Sequence, residues 1–407
     1  MSETHGRSIV LLNRFYWPDV TATAQMLTDL AEDLAAAGWR VTVVAGRAVY
    51  DGGAVKRPAR ETRNGVEIHR VAGTAFGRST TFGRVADYLT YFLASFWRLA
   101  RLPRPDVIGA MTDPPFIVAV AVAIGKWRHA RVVYWVQDLY PQIAERLGAL
   151  RGDGLVYRVA DGIARRLNAA CDLVIVLGPR MREAVIAAGA DAARTTVIHN
   201  WADAVAIQPR SRATNPFLRE HALDGKFVVL HSGNAGRAHT LDAIIGAMSR
   251  LRDEDIVFLF VGGGSRLRQV RQAAERDNLV NVRFLDYVPR EALELSLAAA
   301  SVSLVTEAPE AIGMVVSSKT YGILASGRPV VFVGSERSDV AALVREADCG
   351  VVTPPESPDA LVEALQMFRR RPDLTASMGH NARRAAETRY SREISTAKWG
   401  SQVTAIL

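Results

Sequence analysis

At 407 residues the chain exceeds what one ordinary hydrophobic core organises, so two domains are expected. Its 23% charged and 49% hydrophobic residues exclude a disordered chain, and two distant cysteines, Cys171 and Cys349, imply neither a disulfide framework nor a zinc site. The excess of 50 basic over 42 acidic residues, +8 in all, points to an anionic partner: nucleic acid, an acidic membrane surface or a phosphorylated substrate.

No helix-turn-helix, zinc-finger or RNP pattern supports nucleic acid. Residues Met1 to Arg7 are polar and lead into a strand without a signal-peptide pattern, which together with the cysteine usage points to the cytoplasm. The longest apolar run, Phe116 to Gly125, falls short of the roughly 18 to 20 residues that cross a bilayer.

In chain order, Ser8–Leu12 reads as a strand, Ala24–Ala37 as a helix and Arg40–Val44 as a second strand. Further strands are expected at Val66–Val71, Asp106–Ala110, Arg131–Val136, Asp172–Leu177 and Thr196–His199. This alternation of short β-branched runs with helical patterns predicts a parallel sheet covered on both faces, a Rossmann-like domain. From Asn200 to Pro216 the pattern breaks into a polar, proline-containing connection. A second series follows: Phe227–His231, Ile256–Val261, Val282–Leu285, Ser303–Thr306, Pro329–Val333 and Gly350–Thr353. Two helices close the chain from about Pro372.

In such sheets ligands bind beyond the carboxyl ends of the strands, so the loops there are where chemistry is sought. Three loops of the second domain stand out. Ser232 to Thr240 carries Gly233, Asn234 and Arg237, with Thr240 a candidate N-cap. Gly262-Gly263-Gly264-Ser265 opens the next helix, and Ser317-Ser318-Lys319 opens a third. Small residues let backbone N–H groups approach an anion, and Arg237 and Lys319 add positive charge. Each loop alone is equally a tight turn, with Ser317 or Ser318 an ordinary cap. Together they fit a diphosphate, although neither GxGxxG nor GxxxxGK[ST] is present.

These loops belong to a longer set of motifs. They include Phe15-Tyr16-Trp17-Pro18-Asp19 with Thr23-Ala24, Val136-Gln137-Asp138-Leu139-Tyr140-Pro141, and His199-Asn200-Trp201 with Asp203. They continue through Ser232-Gly233-Asn234, Gly236-Arg237, Val261-Gly262-Gly263-Gly264, Ser318-Lys319 with Tyr321, and Ala325, Gly327, Pro329-Val330. In this order the chain resembles the family-4 type retaining glycosyltransferases, near the colanic-acid and O-antigen biosynthesis enzymes.

The resemblance implies an α/β architecture of GT-B type, two Rossmann-like doubly wound parallel-sheet domains facing a central cleft. It divides the chain into an acceptor-side domain at 1–203, a nucleotide-sugar domain at 204–385, and a closing helix at 386–407 that packs back towards the first. A nucleotide-sugar donor, expected to be UDP-linked, is implied for the second domain. Arg237 and Lys319 are implied at its diphosphate, with Gly233, Asn234, Gly263, Gly264 and Ser318 nearby and Tyr287-Val288 at the base. By position, Asp138 at the end of the strand Arg131–Val136 is a catalytic candidate placed to bind an acceptor or donor hydroxyl. Asp19, Thr23 and Asp113 on first-domain loops are candidates to meet a lipid-linked or saccharide acceptor, and His199 at the end of its strand is a further one. Asp138 reads equally as a helix N-cap before Pro141, and His199 equally as a structural histidine. Two cations with the positive end of a helix dipole can balance a leaving diphosphate, so neither metal nor cofactor is expected.

One departure stands out. The family's E-x7-E pair would put its second glutamate at Gly322, and Glu310 fits the first only with an insertion. A separate feature is the segment Phe82 to Arg104. There Phe82, Val85, Leu89, Phe92, Leu93, Phe96, Leu99 and Ala100 form an apolar stripe, flanked by Arg78, Arg84, Arg98, Arg101 and Arg104. It reads either as a helix lying on the anionic inner membrane surface at its cytoplasmic face, suiting a lipid-linked acceptor, or as an ordinary amphipathic helix packed on a sheet. The rival functions are a nucleotide-sugar 2-epimerase, which needs no acceptor, a nicotinamide-dependent oxidoreductase, which the missing GxGxxG disfavours, and a non-catalytic nucleotide-sugar binder.

Overall fold

The computed structural model describes residues 6–47, 57–77 and 80–407; Met1 to His5 and Arg78 of the sequence reading lie outside them. The chain forms two compact units, Met1–His199 with Ser395–Leu407, and Asn200–Ile394. The division thus falls at 199/200, and most of the last helix, Arg392–Ala405, belongs to the first unit. There the Trp399 ring lies 6.1 Å from that of Trp135, and Arg7 Nη1 donates to Thr404 Oγ1 at 2.9 Å.

The first unit holds an eight-stranded sheet. Its strands are β1 (Ser8–Leu12), β2 (Arg40–Gly46), β3 (Arg60–Arg63), β4 (Val66–Val71), β5 (Val107–Ala110), β6 (Arg131–Trp135), β7 (Leu173–Val176) and β8 (Thr195–Val197). They lie in the order β3-β4-β2-β1-β5-β6-β7-β8. All neighbours are parallel except β3, which runs antiparallel to β4, so the expected wholly parallel sheet has one antiparallel edge. The sequence Arg-Glu-Thr-Arg of β3 has no apolar face because an edge strand needs none, and it escaped the reading. The turn that makes it was visible, however: Asn64-Gly65 with φ of 45° and 80° is a two-residue hairpin loop.

The second unit has six parallel strands in the order β11-β10-β9-β12-β13-β14. They are β9 (Phe227–Ser232), β10 (Ile256–Val261), β11 (Val282–Leu285), β12 (Val302–Thr306), β13 (Val330–Val333) and β14 (Gly350–Thr353). These strands read as unbroken apolar runs because both sheet faces are covered. Val229, Phe258, Phe260, Leu304 and Val331 pack into one layer under the helices Asp242–Arg250 and Pro358–Arg370. Their chain neighbours point the other way: Val228, Leu230, Leu259 and Val261 meet Phe217 and Leu218, while Val305, Val330 and Phe332 meet the helix Lys319–Ala325.

Strand order reverses between β1 and β5 in the first sheet and between β9 and β12 in the second. The loops after those four strands therefore diverge and leave a crevice at the carboxyl ends, where doubly wound sheets take their ligands. Asp19 and Asp113 follow β1 and β5; Ser232 to Thr240 and Ser317 to Lys319 follow β9 and β12. Among the described residues no helix is long and apolar enough to cross a membrane.

Candidate active site

The glycine loops of the second unit are tied to one another by backbone hydrogen bonds. Gly233 N donates to Val261 O at 2.7 Å, Ala235 N to Gly263 O at 2.8 Å, and Arg266 N to Ala235 O at 3.0 Å. Ala308 N, beyond β12, donates to Ala238 O at 2.8 Å. At Gly233 (φ +111°) the absence of a side chain is required: a Cβ would stand 2.9 Å from Lys319 Cε. At Gly263 a Cβ would meet the Tyr287 ring at 3.2 Å, so that largely exposed ring lies along the glycine loop.

Lys319 crosses from the β12 side of the crevice to the β9 side. Its ammonium donates to the Asn234 carbonyl at 2.6 Å and lies 3.0 Å from His239 Nε2. The other ring nitrogen, His239 Nδ1, sits 2.8 Å from the Thr306 carbonyl and 2.9 Å from its hydroxyl. A carbonyl can only accept, so Nδ1 carries the proton and Nε2 offers its lone pair to Lys319. The electrostatics agree: burial and then the Lys319 charge push His239 down to about 3, keeping it neutral. Burial also lowers Lys319 to about 8, so the ammonium persists at neutral pH but is not held firmly. One of its three protons has no acceptor among the described residues. Beneath them His231 is fully buried, and neither ring nitrogen has a hydrogen-bond partner among the described residues. Burial, then Lys319 and His239, hold it neutral as well.

Two expected caps are absent. Ser318 occupies the N-cap position but makes no side-chain capping bond, and the helix Asp242–Arg250 starts after Leu241, not Thr240. Ser317 Oγ is buried without a partner among the described residues. The helix after Ser318 has only seven residues, so the charge at this point comes chiefly from Lys319. Arg237 is exposed, two residues before His239, and makes no ion pair among the described residues. Val288 packs partly into the layer around Leu297.

Glu310, the expected first glutamate of the pair, is exposed on the short turn Pro309–Ala311. The buried acid here is Glu307, directly after β12, which the sequence reading passed over. Burial raises it to about 7, against a hydrogen bond from Ser338 that lowers it. Its signal was an acid immediately beyond an apolar strand.

In the first unit the loops after β5 and β6 bring Asp113 and Asp138 close enough to repel. Burial, and next the Asp113 charge, raise Asp138 to about 6. Asp138 is not a cap, since the helix Gln142–Arg146 begins at Pro141. Arg14 N donates to the Asp113 carbonyl at 2.7 Å, joining the β1 and β5 loops. Asp19 is buried, and both its oxygens accept from Arg57, at 2.7 and 2.8 Å. Thr23 lies in the first turn of Ala22–Ala36, 3.4 Å from the capping hydroxyl of Thr21. His199 Nδ1 donates to the Leu177 carbonyl at 2.8 Å. Among the described residues no group of three or more His, Cys, Asp and Glu side chains is arranged to hold a metal ion.

Comparison with known proteins decides what this arrangement belongs to. Residues 21–201 match the Glycosyl transferase 4-like domain, and residues 215–385 match Glycosyl transferases group 1. The chain belongs to the glycosyltransferases. This glycosyltransferase is 28% identical to WbjE of Pseudomonas aeruginosa, named a glycosyltransferase, over 79% of this chain and 80% of that protein. It is 26% identical to WcaI of Escherichia coli K12, named for colanic acid biosynthesis, over 86% and 89%. Its fold is shared with sucrose-phosphate synthase from Thermosynechococcus elongatus (TM-score 0.79, 17% identity, 98% and 99% covered). HepE from Anabaena, solved with UDP and glucose, has it too (0.75, 18%, 98% and 100%). GT-B glycosyltransferases are thus its structural neighbours.

Proposed function

We propose that this enzyme moves a sugar from a UDP-sugar to a lipid-linked or saccharide acceptor in cell-surface polysaccharide biosynthesis, in the cytoplasm and with retention of anomeric configuration. The observation that carries the reading is the Lys319 ammonium, held across the β9/β12 crevice by Asn234 and His239 with one proton uncommitted. A nucleoside diphosphate leaving group gains negative charge as the sugar–oxygen bond breaks, and a fixed ammonium there stabilises the transition state. Arg237, exposed on the same loop, supplies a second cation. Gly233, Asn234, Gly263 and Gly264 let the pyrophosphate approach the backbone, and Tyr287 with Val288 edges the base. Ser318 and Glu310 are assigned to the ribose and sugar hydroxyls. Support for UDP comes from the Anabaena HepE complexes with UDP and with UDP-glucose, and for polysaccharide assembly from the name of WcaI.

Acceptor hydroxyls fall to the first unit. Asp138, raised to about 6, is ionised at neutral pH yet basic enough to accept a proton from the attacking hydroxyl. Burial, and next the Asp113 charge, keep it so, while Asp19 acts through its pair with Arg57. Thr23 and His199 line the acceptor loops. No metal or cofactor is assigned a part in this mechanism.

The test is to incubate the protein with UDP-, GDP- and dTDP-sugars and follow nucleoside diphosphate release with and without acceptor. Release that depends on acceptor, with a UDP-sugar preferred, is the expected result. Conversion of the donor alone to its 2-epimer would establish the rival epimerase, and stabilisation by NAD(H) alone the oxidoreductase.

A further inference from the structure

The helix Thr81–Arg101 packs on β2 and β4 through a buried face that includes Tyr91, Ser95 and Leu99. Its opposite face does not behave as a packed amphipathic helix should. Phe82 is 82% exposed, Val85 48%, Leu89 54%, Leu93 63% and Trp97 56%. At about 100° per residue these five fall within an arc of roughly 120°. Leu99 is inside and Trp97 outside, which corrects the stripe read from sequence.

A second helix on the same side of the sheet repeats the pattern, and nothing in the sequence reading singled it out. Leu155–Ala169 buries only Ala164 and Asn168, while Leu155, Val156, Val159 and Ile163 are 75%, 69%, 54% and 43% exposed. Between the two ridges runs Val118–Arg128, which packs on both and is mostly buried, with Trp127 near its end 60% exposed. Scattered exposed apolar residues need no explanation, but nine of them on the two helices that flank Val118–Arg128 do.

Charge identifies what covers it. The only acid on Thr81–Arg101 is Asp87, which is buried, accepts from Phe76 and Gly77 N–H groups and pairs with Arg14. The only acid on Leu155–Ala169 is Asp161, taken up by Arg165 and Gln142. Arg84, Arg101, Arg158 and Arg166 remain exposed. An apolar stripe edged by arginines and tryptophans, with no available acid on either helix, matches an anionic phospholipid surface.

We infer that these two helices form one bilayer-docking face on which the enzyme rests. The inference rests on the lipid-linked acceptor proposed above and adds its geometry. Both helices begin at the carboxyl end of the sheet, and Arg84 and Tyr88 lie close enough to Tyr140 to act on its hydroxyl electrostatically, as does Asp138. The docking face therefore borders the Asp113–Asp138 pair, and an acceptor anchored in lipid reaches those carboxylates without leaving the membrane.

The test is flotation of the full-length protein with phosphatidylcholine vesicles, with and without phosphatidylglycerol. Binding is expected to need the anionic lipid. Leu155→Ser with Val159→Ser, and separately Leu93→Ser with Trp97→Ser, should each lower partitioning about tenfold or more, since each pair removes two inserted side chains. Arg158→Glu with Arg166→Glu should likewise lower partitioning onto the phosphatidylglycerol vesicles about tenfold or more, since that binding needs the anionic lipid. Donor-induced thermal stabilisation, unchanged in all three, certifies their folding. No partitioning by the wild type, or full partitioning by both serine pairs, overturns the inference. So does a dimer that the serine pairs convert to monomer, because the patch would then be covered by a second copy. Sugar transfer without vesicle binding defeats this inference alone; vesicle binding without transfer defeats only the proposed function.

Discussion

Lys319 and His239 are fixed on one another: Nζ lies 3.0 Å from Nε2, and Thr306 holds the far side of the imidazole. The histidine acts here as a neutral acceptor that aims the lysine. Lys319→Ala should slow transfer by roughly 10²- to 10³-fold, the effect of losing one transition-state donor. His239→Ala should cost about ten- to a hundredfold, because it removes one hydrogen bond to a charged group. Comparing kcat/KM for donor checks both, and a normal value for Lys319→Ala would remove the lysine from the mechanism.

Lys319 also sets an alkaline limit. In the unliganded protein its proton leaves near pH 8, since burial favours the neutral amine. Above that pH the donor meets an uncharged group, so kcat/KM for donor should fall as pH rises through about 8. The bound diphosphate favours the ammonium, so kcat should hold to a higher pH. Coincident alkaline limbs for the two parameters would contradict this.

Asp138, raised by burial and then by the Asp113 charge, sets the acid side. Asp138, at about 6, loses its charge as pH falls, and activity should decline with it. Asp113→Asn removes the like charge but not the burial, which is the larger cause. The acid limb should therefore move to lower pH by only part of the total shift, measured from the pH–rate profile.

Gly233→Ala tests the crevice by geometry alone. Its Cβ would meet Lys319 Cε at 2.9 Å, at a φ of +111° that alanine resists. We expect a stability loss of about 1–3 kcal/mol, measured by urea unfolding, with a donor KM raised well beyond what that loss alone explains.

Glu307 predicts a pH dependence of stability. Its folded value of about 7 lies above the ordinary 4.5, so its contribution is complete below that ordinary value and is lost as pH rises through 7. The whole shift is worth up to roughly 3 kcal/mol. Glu307→Gln should flatten this part of the curve, its thermal midpoint falling less between pH 5 and 8 than that of the wild type.

Periodicity alone determined the layered α/β architecture. Runs such as Val228-Val229-Leu230 and Val257 to Val261, short and closed by glycine, read as strands covered on both faces, and the glycines after them mark the ligand loops. The strand β3 was hidden because an edge needs no apolar residues. Tertiary structure alone decided that Lys319 would meet His239, 80 residues earlier, that Glu307 and not Glu310 would be the buried acid, and that the stripe on Leu155–Ala169 would stay uncovered. Sequence patterns record which face of an element is apolar. Whether a neighbour then buries that face, or a distant strand supplies a partner, depends on the order in which strands pair, and no local spacing encodes that.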